Sequence, residues 1–179
     1  MPDLQIAIGS LTLKNPVLLA SGTSGSGDEL APYMKLDSLG AVITKTVTME
    51  AREGNPPPRT VEVASGLVNA IGLANEGVDA YLAESLPRLA ATGATVIASV
   101  ACFSEDEWPG LVAKVDAADA VSAIELNLSC PNAGEEILCA QVPEKITAAV
   151  SKARAATAKP LIAKLTPNIT DIAVTAKAA

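Results

Sequence analysis

Residues 123–132 read Ala123-Ile124-Glu125-Leu126-Asn127-Leu128-Ser129-Cys130-Pro131-Asn132, and the fold turns on them. The run 123–128 is apolar enough to be a buried strand. The six residues 127–132 then place two amide side chains around a thiol, in a loop fixed by a proline directly after that strand. A buried strand ending in polar groups is the unit of a parallel sheet with its site at the strand C-termini.

The unit recurs in both directions along the chain. Pro16 to Ala20 is an apolar run ended by Ser21-Gly22, and Ala41 to Lys45, Thr95 to Val100 and Leu161 to Leu165 are further strands. Helical patterns lie between them. Gly27 to Leu36 has Leu30 and Met34 four apart. Asn75 can cap a helix carrying Val78, Leu82, Leu86 and Leu89, which Pro87 should kink or shorten. Ser104 and Glu107 form a capping-box pattern before Leu111, Val112 and Val115. Pro143 suits a first helical turn, with Ile146 and Val150 on one face. Thr170 and Asp171 open a last helix. Ahead of all this, Leu4 to Ile8 and Leu11 to Leu13 flank Gly9-Ser10 as a small hairpin spanning 4–13. From Thr46 to about Leu73 a Gly- and Pro-containing segment, with Pro56-Pro57-Pro58 inside it, reads as a long loop; loops of that length are usually functional.

Alternating strands and helices with fully apolar strands give an α/β chain: an open doubly wound sheet or a (β/α)8 barrel. Five strands complete an open sheet at 179 residues, whereas a barrel takes about 250. Composition alone favours the open sheet, and the polar motifs reverse that preference.

Composition also excludes function classes. The net charge is −7, with one Trp, two Tyr and one Phe. Neither a basic stripe nor an aromatic platform for nucleic acid is present. No polybasic patch or long uncharged apolar stretch points to a membrane. Met1-Pro2-Asp3-Leu4 lacks a basic n-region followed by an apolar segment, so a cytoplasmic location is expected. The three cysteines, Cys102, Cys130 and Cys139, lack C-x-x-C spacing and there is no histidine, so neither a disulfide framework nor a metal site is expected. Without histidine, a general base must be Cys, Lys, Asp, Glu or Tyr.

Polar residues gather after the strands: Ser21 and Gly22, Lys45 and Thr46, Ser99, Asn127 and Cys130, and Lys164. One such residue is a helix cap; a set repeating after every strand describes one shared mouth. Lys45 and Lys164 each end an apolar run, where an ammonium needs an anionic or strongly hydrogen-bonding partner. Asn127 and Asn132 offer donors and acceptors suited to a planar ligand with N–H and C=O edges. Cys130 between them could be a base or nucleophile; an inert thiol with the amides satisfying a turn accounts for the segment equally well. For Cys102 and Cys139 the inert reading is preferred.

At these residues the chain resembles a family. Asn127 to Asn132, NLSCPN, is similar to the active-site loop of class 1 dihydroorotate dehydrogenases. Gly66 to Val78, GLVNAIGLANEGV, resembles that family's orotate-binding loop. Gly54 to Thr60, GNPPPRT, and Ile43 to Thr48, ITKTVT, resemble the segment before it, and Leu18 to Gly22, LLASG, resembles the first flavin loop. The resemblance implies a (β/α)8 TIM barrel with FMN at the strand C-terminal mouth, here cut after about its fifth strand. It implies FMN contacts from Ala20, Ser21, Gly22, Lys45, Thr46, Ser99, Asn127 and Lys164. Contacts to dihydroorotate or orotate fall to Lys45, Asn69, Ala70, Ile71, Gly72, Leu73, Asn127 and Asn132, with Cys130 as catalytic base. Cysteine at that position points to class 1. The GNPPPRT and NAIGL wording is most like class 1B, which implies a homodimer, an iron–sulfur, FAD-containing partner subunit and electrons passed to NAD. The loops that grip the FMN phosphate follow the seventh and eighth strands in that family, and the sequence contains no G-x-G-x-x-G or P-loop pattern in their place. A catalytically silent fragment and a dihydropyrimidine dehydrogenase-type flavoenzyme domain are the alternatives; Asn132 and GNPPPRT favour orotate chemistry over the latter.

Overall fold

A computed structural model of the chain describes residues 3–129 and 139–179. In chain order its strands are β1 (Ile6–Ile8), β2 (Leu11–Leu13), β3 (Leu18–Leu19), β4 (Ala41–Ile43), β5 (Thr60–Val63), β6 (Gly66–Asn69), β7 (Val96–Val100), β8 (Val121–Asn127) and β9 (Leu161–Lys164). β1 and β2 form an antiparallel hairpin with Ile6 opposite Leu13. β3, β4, β7, β8 and β9 form one parallel sheet in that order. Each strand lies beside its predecessor and the order never reverses. A doubly wound sheet reverses at a switch point, so this is the arc of a (β/α) barrel.

Alternation along the strands gives the sheet two faces. On β8, Ile124 and Leu126 pack outward with Leu111, Val112, Val115, Ile146 and Ala149. These come from α3 (Glu107–Asp116) and α4 (Pro143–Ala155), which follow α1 (Val78–Ala80) and α2 (Leu86–Ala90) and precede α5 (Ile172–Ala178). Ala123 points the other way, into a smaller cluster with Ala41, Ile97, Leu11 and Leu13. The β1–β2 hairpin therefore covers the N-terminal end of the inner face, and Leu13 is fully buried there. Two residues further along the same parity, Ala123 gives way to Glu125 and then Asn127, and Ile97 to Ser99. The inner face is apolar at one end and polar at the other.

Several local expectations are corrected. The helix expected over 27–36 is two separate 3₁₀ turns, Asp28–Leu30 and Leu36–Ser38. Gly27 precedes the first at φ 108, and Pro32, which has no N–H to donate, lies between them. The loop expected over 46–73 contains the antiparallel β5–β6 hairpin, with Thr60 opposite Asn69. The helix expected to be capped by Asn75 starts at Val78 behind an N-cap Gly77. Pro87, expected to kink or shorten the helix, follows a π turn, Tyr81–Ser85, through which α1 continues into α2. That wider turn relieves the crowding and the missing donor that proline brings. The Ser104–Glu107 capping box does not form either. Asp106 is the N-cap of α3, and the Glu107 carboxylate accepts from the Phe103 N–H at 3.2 Å. Asp171 does cap α5, its Oδ1 accepting from the Ala173 N–H at 2.9 Å.

Candidate functional site at the strand ends

The polar end of the inner face is one connected group. Ser99 Oγ donates to Glu125 Oε1 at 2.6 Å, Thr46 Oγ1 lies 2.9 Å from Ser99 Oγ, and Asn127 Nδ2 donates to Thr46 Oγ1 at 3.0 Å. Lys164 Nζ, at the end of β9, donates to Ser21 Oγ at 3.1 Å and stands 3.8 Å from Glu125 Oε1. Contacts 26, 53, 81 and 143 residues apart in sequence thus meet at one edge. The parallel register brings them together by setting Ser99 beside Glu125 and Asn127 beside Lys164. Thr44 supports the group from behind, its hydroxyl accepting from the Ser99 N–H at 3.3 Å.

Lys45 is half-buried and lines a cleft of about 220 Å³ with Gly25, Ser26, Glu29, Val47, Asn75 and Glu76. Gly22 is close by, since a Cβ built on it would lie 3.8 Å from Lys45 Nζ. Ala20 and Gly22 are exposed beside Ser21.

The segments GNPPPRT and NAIGL hold each other. The Asn55 N–H donates to the Ile71 carbonyl at 3.1 Å, Asn55 Nδ2 donates to the Ala70 carbonyl at 2.9 Å, and the Ala70 N–H donates to the Arg59 carbonyl at 2.8 Å. Gly72 and Leu73 both take left-handed backbone, at φ 73 and 57. Asn75 ties this loop to the strand ends. Its Nδ2 donates to the Leu73 carbonyl at 2.8 Å, and its Oδ1 accepts from the N–H groups of Thr48 at 3.1 Å and Gly77 at 2.9 Å. Gly54 packs tightly against the second segment: at φ 76, an added Cβ would lie 2.4 Å from the Ile71 carbonyl oxygen. Gly54→Ala is therefore expected to push residues 69–73 away and to cost about 1–3 kcal/mol. Chemical denaturation of the complete barrel measures this; an unchanged midpoint would show that the two segments move independently.

Cys130 and Asn132 lie outside the described residues. Cys102 is partly buried, and that burial pushes its thiol well above the usual cysteine range, with Glu107 adding to the effect. Cys139 packs against the main core. Among the described residues no group of three His, Cys, Asp or Glu side chains could hold a metal, and no helix is long and apolar enough to cross a membrane. Glu125 is the site residue that residue-by-residue reading passed over. Its signal was available: a charge inside an apolar strand, on the same parity as Asn127.

The family model for dihydroorotate dehydrogenase matches residues 3–179. A relative from Desulforudis audaxviator, the catalytic subunit of dihydroorotate dehydrogenase B (NAD(+)), is 48% identical over 97% of this chain and 57% of its own length. One of the same description from Endomicrobium trichonymphae is 47% identical over 96% of this chain and 56% of its own. The crystal structure of the dihydroorotate dehydrogenase of Eimeria tenella in complex with ferulenol superposes with a TM-score of 0.77. It does so at 22% identity, over 99% of this chain and 57% of that one, and supports the fold. The chain spans a little over half the length of these relatives. With its strand order, its polar strand ends and a match along nearly its whole length, the chain belongs to the dihydroorotate dehydrogenase family, on the side of the NAD-linked B-type catalytic subunits.

Proposed function

We propose that this chain supplies the flavin- and substrate-facing half of an FMN-dependent dihydroorotate dehydrogenase. The enzyme oxidises (S)-dihydroorotate to orotate in pyrimidine synthesis and passes electrons to NAD through an iron–sulfur, FAD-containing partner subunit. The observation that carries the reading is the strand-end group of Ser21, Thr46, Ser99, Asn127 and Lys164, in a chain of this family. The donor set suits FMN. An ammonium, an amide and the Ser21 hydroxyl along one edge match a flat heterocycle with carbonyl and N–H positions, and Lys45 shares a cleft with Asn75, which anchors the neighbouring loop.

FMN, when bound, supplies the hydride acceptor. The chain's residues do the rest. Cys130, as thiolate, takes the proton from C5 of dihydroorotate while the hydride leaves C6. Lys45, Asn69 to Leu73, Asn127 and Asn132 hold the pyrimidine. Ala20, Ser21, Gly22, Thr46 and Lys164 line the flavin ring, with the fully buried Ser99 supporting them from behind, and Lys164 places a fixed positive charge there, which is preorganised electrostatic stabilisation.

The test is anaerobic reduction of the complete, FMN-loaded barrel. Dihydroorotate is expected to bleach the flavin and dihydrouracil to leave it oxidised; the reverse preference would move the chain to the dihydropyrimidine dehydrogenase class. Lys164→Ala is expected to weaken FMN binding and slow its reduction, each about tenfold or more, as for loss of a charged hydrogen-bonding group. Absorbance titration and stopped flow measure the two. Parent values in both would make Lys164 a structural residue.

A further inference from the structure

Glu125 is a buried carboxylate to which the mechanism above assigns no task. It is 3% exposed, between Ile124 and Leu126 on the central part of β8, where an ionised carboxylate persists only if it is hydrogen-bonded and charge-paired. It has both: Ser99 Oγ at 2.6 Å and Lys164 Nζ at 3.8 Å from the same oxygen. That arrangement fixes where every proton in the group goes. A carboxylate only accepts, so the one hydroxyl proton of Ser99 points at Glu125. Ser99 Oγ must then accept from Thr46, which commits the one hydroxyl proton of Thr46. Thr46 Oγ1 can therefore only accept from Asn127, whose Nδ2 stands 3.0 Å away. The other end of the amide agrees, since Asn127 Oδ1 accepts from the Ser129 N–H at 3.3 Å and from its hydroxyl at 3.2 Å. An isolated asparagine can present either its oxygen or its nitrogen. Here the orientation is decided three hydrogen bonds away.

We propose that Glu125 is a positioning residue: its carboxylate anchors the Lys164 ammonium and sets the one-way hydrogen-bond chain Asn127–Thr46–Ser99, so that the Asn127 amide is held with its nitrogen toward Thr46 and its oxygen toward Ser129. The proposal deepens the flavin-site reading and rests on it for its consequence, while the Glu125–Lys164 coupling itself can be read without flavin.

The first measurement uses the complete barrel without FMN. Only the neutral amine of a lysine is acylated, so removing the anion beside Lys164 raises its rate. With Glu125→Gln, acetylation of Lys164 by acetic anhydride at pH 8, followed by mass spectrometry, should speed up about threefold, the scale of a partly exposed pair. Lys114, paired with Asp79 at 2.6 Å on the surface, is the internal control and should not change. Glu125→Asp, which draws the charge back by one methylene, should give a smaller rise and serves if the glutamine variant does not fold. A parent-like Lys164 rate in whichever variant folds overturns the anchoring. The second measurement is FMN affinity. Glu125→Gln should weaken it about tenfold, and in a Lys164→Ala background it should cost clearly less, the remainder passing through Asn127. Effects that multiply in full would overturn the anchoring of Lys164. If the parent barrel binds no FMN, the flavin reading falls, and the acetylation result still judges the coupling.

Discussion

Cys130→Ser, in the complete enzyme, is expected to lower turnover of dihydroorotate at neutral pH by about 10²–10⁴-fold while FMN stays bound. A general base contributes on that scale, and the thiolate is the working form of a cysteine base. A free thiol ionises near pH 8.5, so a site that holds Cys130 as thiolate works at neutral pH. A serine hydroxyl keeps its proton through the accessible range, so the residual rate of the variant should climb with pH where the parent has already levelled off. FMN contacts come from other residues, so the flavin absorbance of the variant should match the parent. Parent-like turnover at pH 7 would remove Cys130 as base. Cys102→Ser is the matched control. Burial and, to a lesser extent, Glu107 push its thiol up from the usual cysteine range, it packs at the edge of the main core, and its loss should leave the rate of the chemical step unchanged.

How much of this was legible in the sequence varies with the kind of force involved. Burial was legible. The five parallel strands are apolar runs, and β7 shows it most fully, every residue of Val96–Val100 being buried. Strand order was not. Apolar runs do not say whether the sheet reverses, and only the pairing of each strand with its predecessor separates barrel from open sheet. The β5–β6 hairpin was missed because all eight of its residues are exposed. Its cues are the period-2 run Thr60-Val61-Glu62-Val63 and the Gly66 that follows the Ala64-Ser65 turn, and the prolines beside them dominated the reading. The helix over 27–36 failed for the opposite reason: Leu30 and Met34 have helical spacing, but Gly27 and Pro32 outweigh a two-residue pattern. At the site, residue types were legible and connections were not. Lys164 at a strand end called for an anion, and the anion sits on the neighbouring strand, two residues before Asn127. Cross-strand partners are set by register, which no window along the chain contains.

Residues 1–179 by themselves are expected neither to hold FMN tightly nor to oxidise dihydroorotate. The strand-end group addresses the flat ring and the substrate, with one ammonium, one amide and a few hydroxyls to offer. The phosphate is the flavin's most strongly charged handle, and gripping it calls for backbone N–H groups converging at a loop or helix N-terminus. The family resemblance assigns that task to loops after the seventh and eighth strands, and the sheet among the described residues has five strands. The two outer strands compound the deficit. Among the described residues β3 and β9 each pair on one side only within the sheet, which leaves two strand edges without partners. Open edges also recruit other strands, so this polypeptide should self-associate as its concentration rises. The measurement is direct: titrate the purified 179-residue chain with FMN, follow flavin fluorescence, add dihydroorotate without oxygen, and record the sedimentation profile alongside. Weak or absent quenching and no bleaching are expected, with mass above the monomer. Stoichiometric tight binding with substrate-dependent bleaching would reject the prediction, and binding confined to the associated species would mean that a second copy closes the barrel that one copy leaves open.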